Sequence, residues 1–399
     1  MSTVAPTRTP RLTPGLRVEE RVTPLELFFD LVFVLALTQC TALMAATPTW
    51  EGLIRGMMIL GVLWWAWVGY AWLTSVVDPE DGVVRLAIFA SMAALLVAAL
   101  CVPEAFDDSA LLFACAYAVV RVAHIVLFWA ASREDAALRS SVTGLGASTA
   151  VGVGLLVAAS FTDGVAQGAL WAVALLLDAG GPLLFGAGGW TLVPHHFAER
   201  HALIVIIALG ESIVAIGSGS EIGVDAGVVA ASVLGMVVAA ALWWLYFDVV
   251  ALVAGNRLAR AAEGRERNEM ARDSYSYLHF PMVAGIVLLA LGMKKTLGAV
   301  DEPLEVVPAV ATLGGTAIYL LAHVAFRLRN VHTLNKQRLA CAVLVVALVP
   351  AAVELPALAS LAILATILVL LIAYEAVRFS EARERIRSQL GHEAAGQPG

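Results

Sequence analysis

The chain has 399 residues, of which 60% are hydrophobic and only 14% carry a formal charge. Soluble globular proteins average about 25% charged residues, so this composition excludes an ordinary soluble domain and predicts a membrane protein. The net charge of −7 does not indicate a nucleic-acid partner, and the expected partner is the lipid bilayer. The apolar residues form runs of about 20, the length at which a helix crosses about 30 Å of hydrocarbon.

These runs predict an all-α polytopic membrane protein with about twelve transmembrane helices. The expected spans are residues 24–46, 52–76, 84–102, 109–131, 141–160, 165–186, 198–219, 226–254, 276–297, 307–327, 338–354 and 357–379. The remaining ends of the chain, residues 1–21 and 381–399, are predicted to be tails.

The distribution of positive charge predicts the orientation in the membrane. Most of the 25 Lys and Arg residues lie in the first tail, in the loops that follow even-numbered spans, and after the last span. Because cytoplasmic segments are enriched in Lys and Arg, both termini are predicted to be cytoplasmic. An even number of spans agrees with this orientation, since it returns the chain to its starting side.

The sequence also predicts an internal duplication. The tripeptide "LWW" occurs at residues 63–65 in the second span and at 242–244 in the eighth. Polar residues also occupy corresponding spans: Glu26 and Glu199, His124 and His323, Asp178 and Glu375. These matches predict two tandem six-helix repeats, residues 22–190 and 191–380, related by an axis along the membrane normal.

Two stretches carry a family resemblance. "TPLELFFDLVFVLALTQ" (23–39) and "HHFAERHALIVIIALGESIVAIG" (195–217) together resemble the bacterial low-temperature-requirement protein A family. The resemblance implies a multi-pass protein of the bacterial inner membrane.

A fainter resemblance concerns the first span alone. Phe28, Asp30 and Phe33 resemble the first helix of the endolysosomal and bacterial potassium channel family, which has six-helix units and the signature Arg-x-x-x-Phe-Ser-Asp. Here Pro24 stands where that family has arginine, and Phe29 replaces the serine. The resemblance therefore extends to the fold but does not imply potassium selectivity.

Glu26 and Asp30 are two acids within an apolar span. They are four residues apart, so on a helix they share one face. Glu26 alone could act as a helix cap near the positive end of the helix dipole. Asp30 lies one turn deeper, where a carboxylate costs about 2.5–3.5 kcal/mol on insertion scales and normally faces a partner or water. The pair is predicted to line a transport pathway or to form a polar network.

Further ionisable residues are predicted to line a polar vestibule open to the cytoplasm. They are His124, Asp178, Glu199, Arg200, His201, Asp248, His279, His323 and Glu375. His124 and His323 are the candidate proton-responsive groups, because an unperturbed histidine titrates near pH 6.5. The alternative is that each polar side chain bonds a nearby backbone carbonyl separately.

Arg121 and Glu211 are charges that occur in only one repeat, and both are expected near the middle of the bilayer. An unpaired charge at that depth is expensive, so each should have a partner. The simplest hypothesis is that Arg121 pairs with Glu211 across the repeat interface. Asp30 is the competing partner of Arg121.

The sequence gives no sign of a cofactor or metal. His195 or His196 with Glu199 has a spacing that allows convergence on one ion, but the stretch departs from the zinc protease patterns because Arg200 stands where a histidine would follow. This stretch is instead expected to cap the N-terminus of the seventh helix and to form a cluster of charges at the membrane interface. The four cysteines lack CxxC spacing and predict neither disulfides nor a zinc site.

These observations predict a protein that moves an ion or small solute through a pathway between the repeats. A homo-oligomer is compatible with the sequence. One alternative is an intramembrane enzyme that acts on a lipid-soluble substrate, with Asp30, His124 or Glu211 as acid or base. Another is a membrane scaffold or sensor without transport activity.

Overall fold

The computed structural model describes residues 21–184, 189–219 and 225–381. Within these ranges the chain is helical and forms no β-strand. The helices in chain order are α1 (Pro24–Ala46), α2 (Trp50–Val76), α3 (Gly82–Cys101), α4 (Ala110–Ala131), α5 (Ala136–Ala159), α6 (Gly164–Leu184), α7 (Pro194–Gly219), α8 (Ala226–Phe247), α9 (Val250–Arg260), α10 (Arg265–Met270), α11 (His279–Gly298), α12 (Val306–Val331), α13 (Lys336–Ala347), α14 (Val349–Ala352) and α15 (Ala357–Arg378).

Eleven helical segments in the described residues are long and apolar enough to cross a membrane. The prediction of an all-α polytopic membrane protein is therefore confirmed. The bounds of α1–α7 agree closely with the first seven predicted spans. The largest difference is 5 residues, at the start of α5, where 141 was predicted and 136 is observed.

The predicted eleventh span, 338–354, is a broken helix. α13 has only 12 residues and is followed by the single turn of α14, which has Pro350 near its start. Proline has no amide hydrogen and disrupts a continuing helix. The backbone nitrogen of Ala357 nevertheless donates to the carbonyl of Glu302 at 2.8 Å, and Pro356 bridges Pro303. The start of α15 thus lies beside the start of α12.

This bridge bears on the number of membrane crossings. The chain leaves the bridge along the 26 residues of α12 and must return through α13 and α14 before α15 can begin there. The broken segment therefore covers about the same distance as α12. The count of twelve spans stays a prediction that this return path supports.

Two other predicted spans also differ from the structure. The eighth predicted span, 226–254, is not one helix. α8 ends at Phe247, and the chain continues into a separate helix, α9, which carries Arg257 and Arg260 in its last turn. The ninth predicted span, 276–297, begins inside a π-helical stretch, Ala271–Tyr277, which follows α10 and precedes α11. Pro281 has no amide hydrogen to donate to the Tyr277 carbonyl, which favours irregular helix there. Single π-helical turns occur frequently at functional sites.

The order of helix contacts is similar in the two halves of the chain. α1 packs on α2 and α3, α3 on α4, α4 on α5, and α5 on α6; in the second half, α7 packs on α8 and α11, α11 on α12, α12 on α13, and α13 on α15. The halves meet where α1 and α2 contact α7 and α11. This similarity supports the predicted duplication with units 22–190 and 191–380, which stays a prediction.

The burial pattern is that of a bundle surrounded by lipid. α2 and α11 are the central helices, with large side chains such as Trp64 and Trp67 fully buried. On outer helices, Leu86, Leu176 and Val377 are 69–81% exposed. Many such apolar side chains on one surface mark a membrane-facing region.

Candidate functional site

The first polar group lies between the two halves, where α1, α2 and α7 meet. Arg200 of α7 donates to Asp30 at 2.7 Å and contacts Glu26 at 3.1 Å. His196, one turn earlier on α7, contacts the same Glu26 oxygen, Oε1, at 2.8 Å. Trp67 of α2 donates its indole N–H to Asp30 at 2.8 Å. We call Glu26, Asp30, Trp67, His196 and Arg200 the inter-repeat cluster.

Local sequence explains how this cluster forms. Thr23 and Glu26 make a capping box at the start of α1: the Thr23 amide donates to Glu26 Oε2 at 2.8 Å, and the Glu26 amide donates to Thr23 Oγ1. Such reciprocal bonds fix the first turn of a helix. Glu26 and Asp30 on α1 are four residues apart, as are His196 and Arg200 on α7, so each helix presents two polar side chains on one face.

The inter-repeat cluster is closed to solvent. Its acids, His196 and Arg200 are at most 1% exposed. Thr74 accepts a further bond from Arg200 at 3.3 Å. Two atoms of the cluster, Asp30 Oδ2 and Arg200 Nε, have no hydrogen-bond partner among the described residues. Asp30 is thus a member of a buried network, and Glu26 is both a cap and a member of that network.

A second polar group lies within the first half of the chain. Arg121 of α4 donates to Asp178 of α6 at 2.8 Å, to Thr149 at 2.8 Å and to the Trp65 carbonyl at 3.0 Å. Tyr117 also donates to Asp178. We call Arg121, Asp178 and the nearby His124 the first Arg–acid group.

The predicted partners of Arg121 are therefore wrong. Arg121 pairs with Asp178, whereas Asp30 pairs with Arg200. Glu211 instead accepts a hydrogen bond from Thr38 at 2.5 Å. The physical reason is that α4 packs among helices of its own half, so its arginine finds an acid there rather than across the interface.

A cavity of about 60 Å³ lies beside the first Arg–acid group. His124 lines it and is 1% exposed. Neither of its ring nitrogens forms a hydrogen bond of standard geometry, although the Gly69 backbone interacts with the ring. Trp65, Trp72 and Trp190 form apolar walls, and the segment that contains α10 and the π-helical stretch closes one side with Asn268, Arg272 and Ser276. Since a water needs about 10–15 Å³ of such volume, the cavity has room for a small ligand.

The second half of the chain contains a related group. Arg338 of α13 forms two bonds with Glu375 of α15, at 3.0 and 2.9 Å, and donates to the Leu245 carbonyl at 3.0 Å. It also donates to Nδ1 of His323 at 3.0 Å. We call Arg338, Glu375 and His323 the second Arg–acid group. A cavity of about 230 Å³ adjoins it and is also lined by Asp248, at the break between α8 and α9.

Arg338 is the functional residue that sequence reasoning missed. Its place at the start of the predicted span 338–354 makes it resemble a charge of the preceding loop, but it lies in the first turn of α13 with a side chain only 8% exposed. Its match to Arg121 was hidden because the two arginines come from non-equivalent helices. The signal that could have found it was the acid Glu375, whose expected depth required a partner.

Two predicted vestibule histidines instead belong to an aromatic core. His279 contacts Tyr246 through Nε2 at 2.8 Å and the Ser274 carbonyl through Nδ1 at 3.0 Å. His201 contacts the Phe197 carbonyl at 2.9 Å. Neither His201 nor His279 lines the two cavities described above, and the vestibule that was expected to include both stays a prediction. Here the alternative of separate backbone bonds applies.

The remaining predicted residues are dispersed. Glu199 is exposed and accepts from the Val22 amide at 3.3 Å. The three residues of the enzyme alternative have different surroundings: Asp30 is in the inter-repeat cluster, His124 lines the first cavity, and Glu211 faces Thr38. They do not form one acid–base site. Among the described residues, no three His, Cys, Asp or Glu side chains are grouped as metal ligands require.

A helical chain with 11 candidate spans and buried ion pairs inside its bundle defines a polytopic membrane protein. The chain belongs to the family described as bacterial low temperature requirement A protein (LtrA), whose model matches residues 21–373. The principal family resemblance is thus confirmed.

Among the relatives, the chain is 32% identical over 310 residues to "Uncharacterized protein RA0937" of Rhizobium meliloti (strain 1021), which covers 74% of each chain. No solved structure matches the chain. The fainter resemblance to the potassium channel family stays a prediction.

Proposed function

We propose that the protein is a carrier of the bacterial inner membrane that moves a small solute or ion by relative movement of two six-helix repeats. The observation that carries the proposal is the first cavity, where His124 has two unpartnered nitrogens beside the ion pair of Arg121 and Asp178. Ionisable residues inside a membrane bundle are expensive and usually mark a substrate or ion pathway.

A carrier is favoured over an open channel by the closed interface. The inter-repeat cluster occupies the contact between α1 and α7 and excludes solvent there. A continuous pore would need a water-filled passage at this contact. Of the two cavities described above, the first lies between the halves and the second lies within the second half. A cavity between the halves suits a mechanism in which each repeat moves as a body and a binding site opens in alternation.

The ligand of the first cavity must be small and partly apolar. The indole rings of Trp72 and Trp190 suit an apolar or flat portion, while His124 can donate with one nitrogen and accept with the other when neutral. A ligand with one hydrogen-bonding group at its end would satisfy His124 without breaking the Arg121–Asp178 pair.

Reconstituted protein tests this proposal directly. Proteoliposomes that contain a pH-sensitive dye are exposed to defined cation, anion and small-solute gradients, and flux is compared with empty vesicles. We expect His124→Leu to abolish the flux while the exposed His195→Leu retains it. Absence of flux for the wild-type protein under every gradient, together with turnover of a lipid or isoprenoid, would overturn the proposal in favour of the enzyme.

The proposed orientation, with both termini in the cytoplasm, has its own test. A reporter fused after Arg267 should stay cytoplasmic, whereas one placed at Asp107 or Asp108 should be on the opposite side. Finding both reporters on one side would refute the twelve-span arrangement.

A further inference from the structure

Glu211 differs from the other buried acids of the chain. Four acids are buried in the described residues: Glu26, Asp30, Asp178 and Glu211. The first three each contact an arginine guanidinium, at 3.1, 2.7 and 2.8 Å respectively. Glu211 forms no ion pair with any described residue, although it is only 1% exposed.

The neighbours of Glu211 on α1 are two hydroxyl groups and the Cys40 thiol, on which Glu211 acts electrostatically. Thr38 Oγ1 lies 2.5 Å from Glu211 Oε2. Thr41, three residues further along α1, also interacts with the carboxyl group. The nearby charged group is Lys294 of α11, which acts on Glu211 electrostatically but makes no ion pair within the described chain. The site is therefore built from α1 of the first half and α7 and α11 of the second.

The position of Glu211 is deep in the bundle. It lies 17 residues after Pro194, which corresponds to roughly 25 Å along α7 at 1.5 Å per residue. The inter-repeat cluster lies near the other end of the same contact between α1 and α7. The interface thus contains two polar sites, one neutralised by an arginine and one that is not.

An ionised carboxylate without a counter-charge is unfavourable in such a place. Removing it from water is unfavourable, and hydroxyl groups offset only part of this cost. The carboxyl group avoids the cost by binding a proton. A threonine hydroxyl suits both states, because it donates to an ionised carboxylate and accepts from a protonated one. Arginine, by contrast, only donates and stabilises the ionised form alone.

We propose that Glu211, with Thr38, is a proton-binding site at the interface between the two halves, and that the proton it binds drives the carrier. A proton is favoured over a metal ion because the site offers one acid and two hydroxyls, and no group of three ligating side chains is present in the described residues. The driving role rests on the proposed transport function. The binding of a proton at Glu211 does not depend on that transport function.

Infrared spectroscopy of the purified protein tests occupancy without any flux. A protonated carboxyl group has a C=O stretch at a higher frequency than a carboxylate. We expect such a band near neutral pH in the wild type, its complete loss in Glu211→Gln, and its retention in Glu375→Gln, where the acid that is replaced pairs with Arg338. Retention of the whole band in Glu211→Gln would overturn the proposal.

Two further measurements keep the test decisive. Glutamine is neutral and nearly the same shape as a protonated glutamate, so Glu211→Gln should fold. If it does not, Thr38→Val serves instead, and the band should shift in frequency because its hydrogen-bond partner is gone. If thermal stability instead rises with Na⁺ or K⁺ but not with choline, and Glu211→Gln abolishes this rise, the site binds a metal cation and the proton proposal is wrong.

Transport measurements distinguish the failure of the proton-site proposal from the failure of the proposed transport function. In proteoliposomes, Glu211→Gln should abolish uptake driven by a pH gradient while solute exchange without a gradient continues. Equal loss of both activities would refute a driving role for the proton. If the wild type shows the infrared band but transports nothing, the transport proposal fails and the proton site stands.

Discussion

In each of the two Arg–acid groups an arginine pairs with an acid inside the bundle, but the two arginines come from different helices. In the first half, the arginine comes from the middle of α4, and its pair with Asp178 is 3% and 6% exposed. In the second half, it comes from the first turn of α13, and the pair with Glu375 is 8% and 15% exposed. Each arginine also donates to a backbone carbonyl at an "LWW" motif. Arg121 bonds the carbonyl of Trp65, the last residue of the motif on α2, and Arg338 bonds that of Leu245, which directly follows the motif on α8.

The comparison indicates which feature the two halves share. In the predicted alignment of the repeats, which matches His124 with His323, the residue that corresponds to Arg121 is Leu320, and leucine cannot pair with Glu375. The shared feature is the pairing of the acid on the last helix with a guanidinium, because an acid at that position is unfavourable alone. The position of the arginine in the sequence is free to differ as long as its guanidinium reaches the acid.

The largest predicted effect comes from breaking the more deeply buried pair. Asp178→Leu leaves Arg121 charged and unpaired inside the bundle, and should lower the free energy of unfolding by about 3–5 kcal/mol. Glu375→Leu should cost about 1–3 kcal/mol, because water reaches part of the side chain and screens Arg338. Denaturant titration of the protein in detergent measures both losses. Equal losses would remove the difference between the two groups.

A double-mutant cycle sharpens the assignment of the partner. Arg121→Leu combined with Asp178→Leu should be less destabilised than the sum of the single variants by about 0.5–3 kcal/mol, the usual size of coupling between contacting groups. The control cycle, Arg121→Leu with Glu211→Leu, should be additive within about 0.5 kcal/mol. Coupling in the control and additivity in the first cycle would restore the pairing expected from the sequence.

The fold could be predicted from the sequence to a greater extent than the site. Apolar runs of bilayer length identify helices because every backbone polar group must be satisfied inside the helix, and α1–α7 follow those runs. The interruption before α14 was missed because the apolar run continues through Pro350. Depth alone indicated that Asp30 and Arg121 need partners. It could not show which partner packs beside each, since that depends on how helices neighbour one another.

Relocation of the second arginine tests whether the two groups are equivalent. Arg338→Leu should destabilise the protein, and adding Leu320→Arg places a guanidinium at the position aligned with Arg121. If the halves share one arrangement, the second change should restore about 1–2 kcal/mol of the loss by pairing with Glu375. Thermal unfolding of the three proteins measures this. Further destabilisation would mean that the halves differ in more than the origin of the arginine.

The smallest predicted effect distinguishes the two histidines. An arginine cannot accept a hydrogen bond, so Nδ1 of His323 must be the acceptor in its contact with Arg338. His323→Leu removes that acceptor and should cost about 1 kcal/mol of unfolding free energy.

His124 makes no such bond, so His124→Leu removes a buried polar group without a partner and should leave the free energy of unfolding unchanged within about 0.5 kcal/mol, or raise it slightly. Flux should nevertheless be lost in His124→Leu, because a ligand in the first cavity needs those two free nitrogens. Measurements of the free energy of unfolding and of flux on both variants test these expectations. A His124→Leu protein that is clearly destabilised would show that the imidazole supports the fold rather than a ligand.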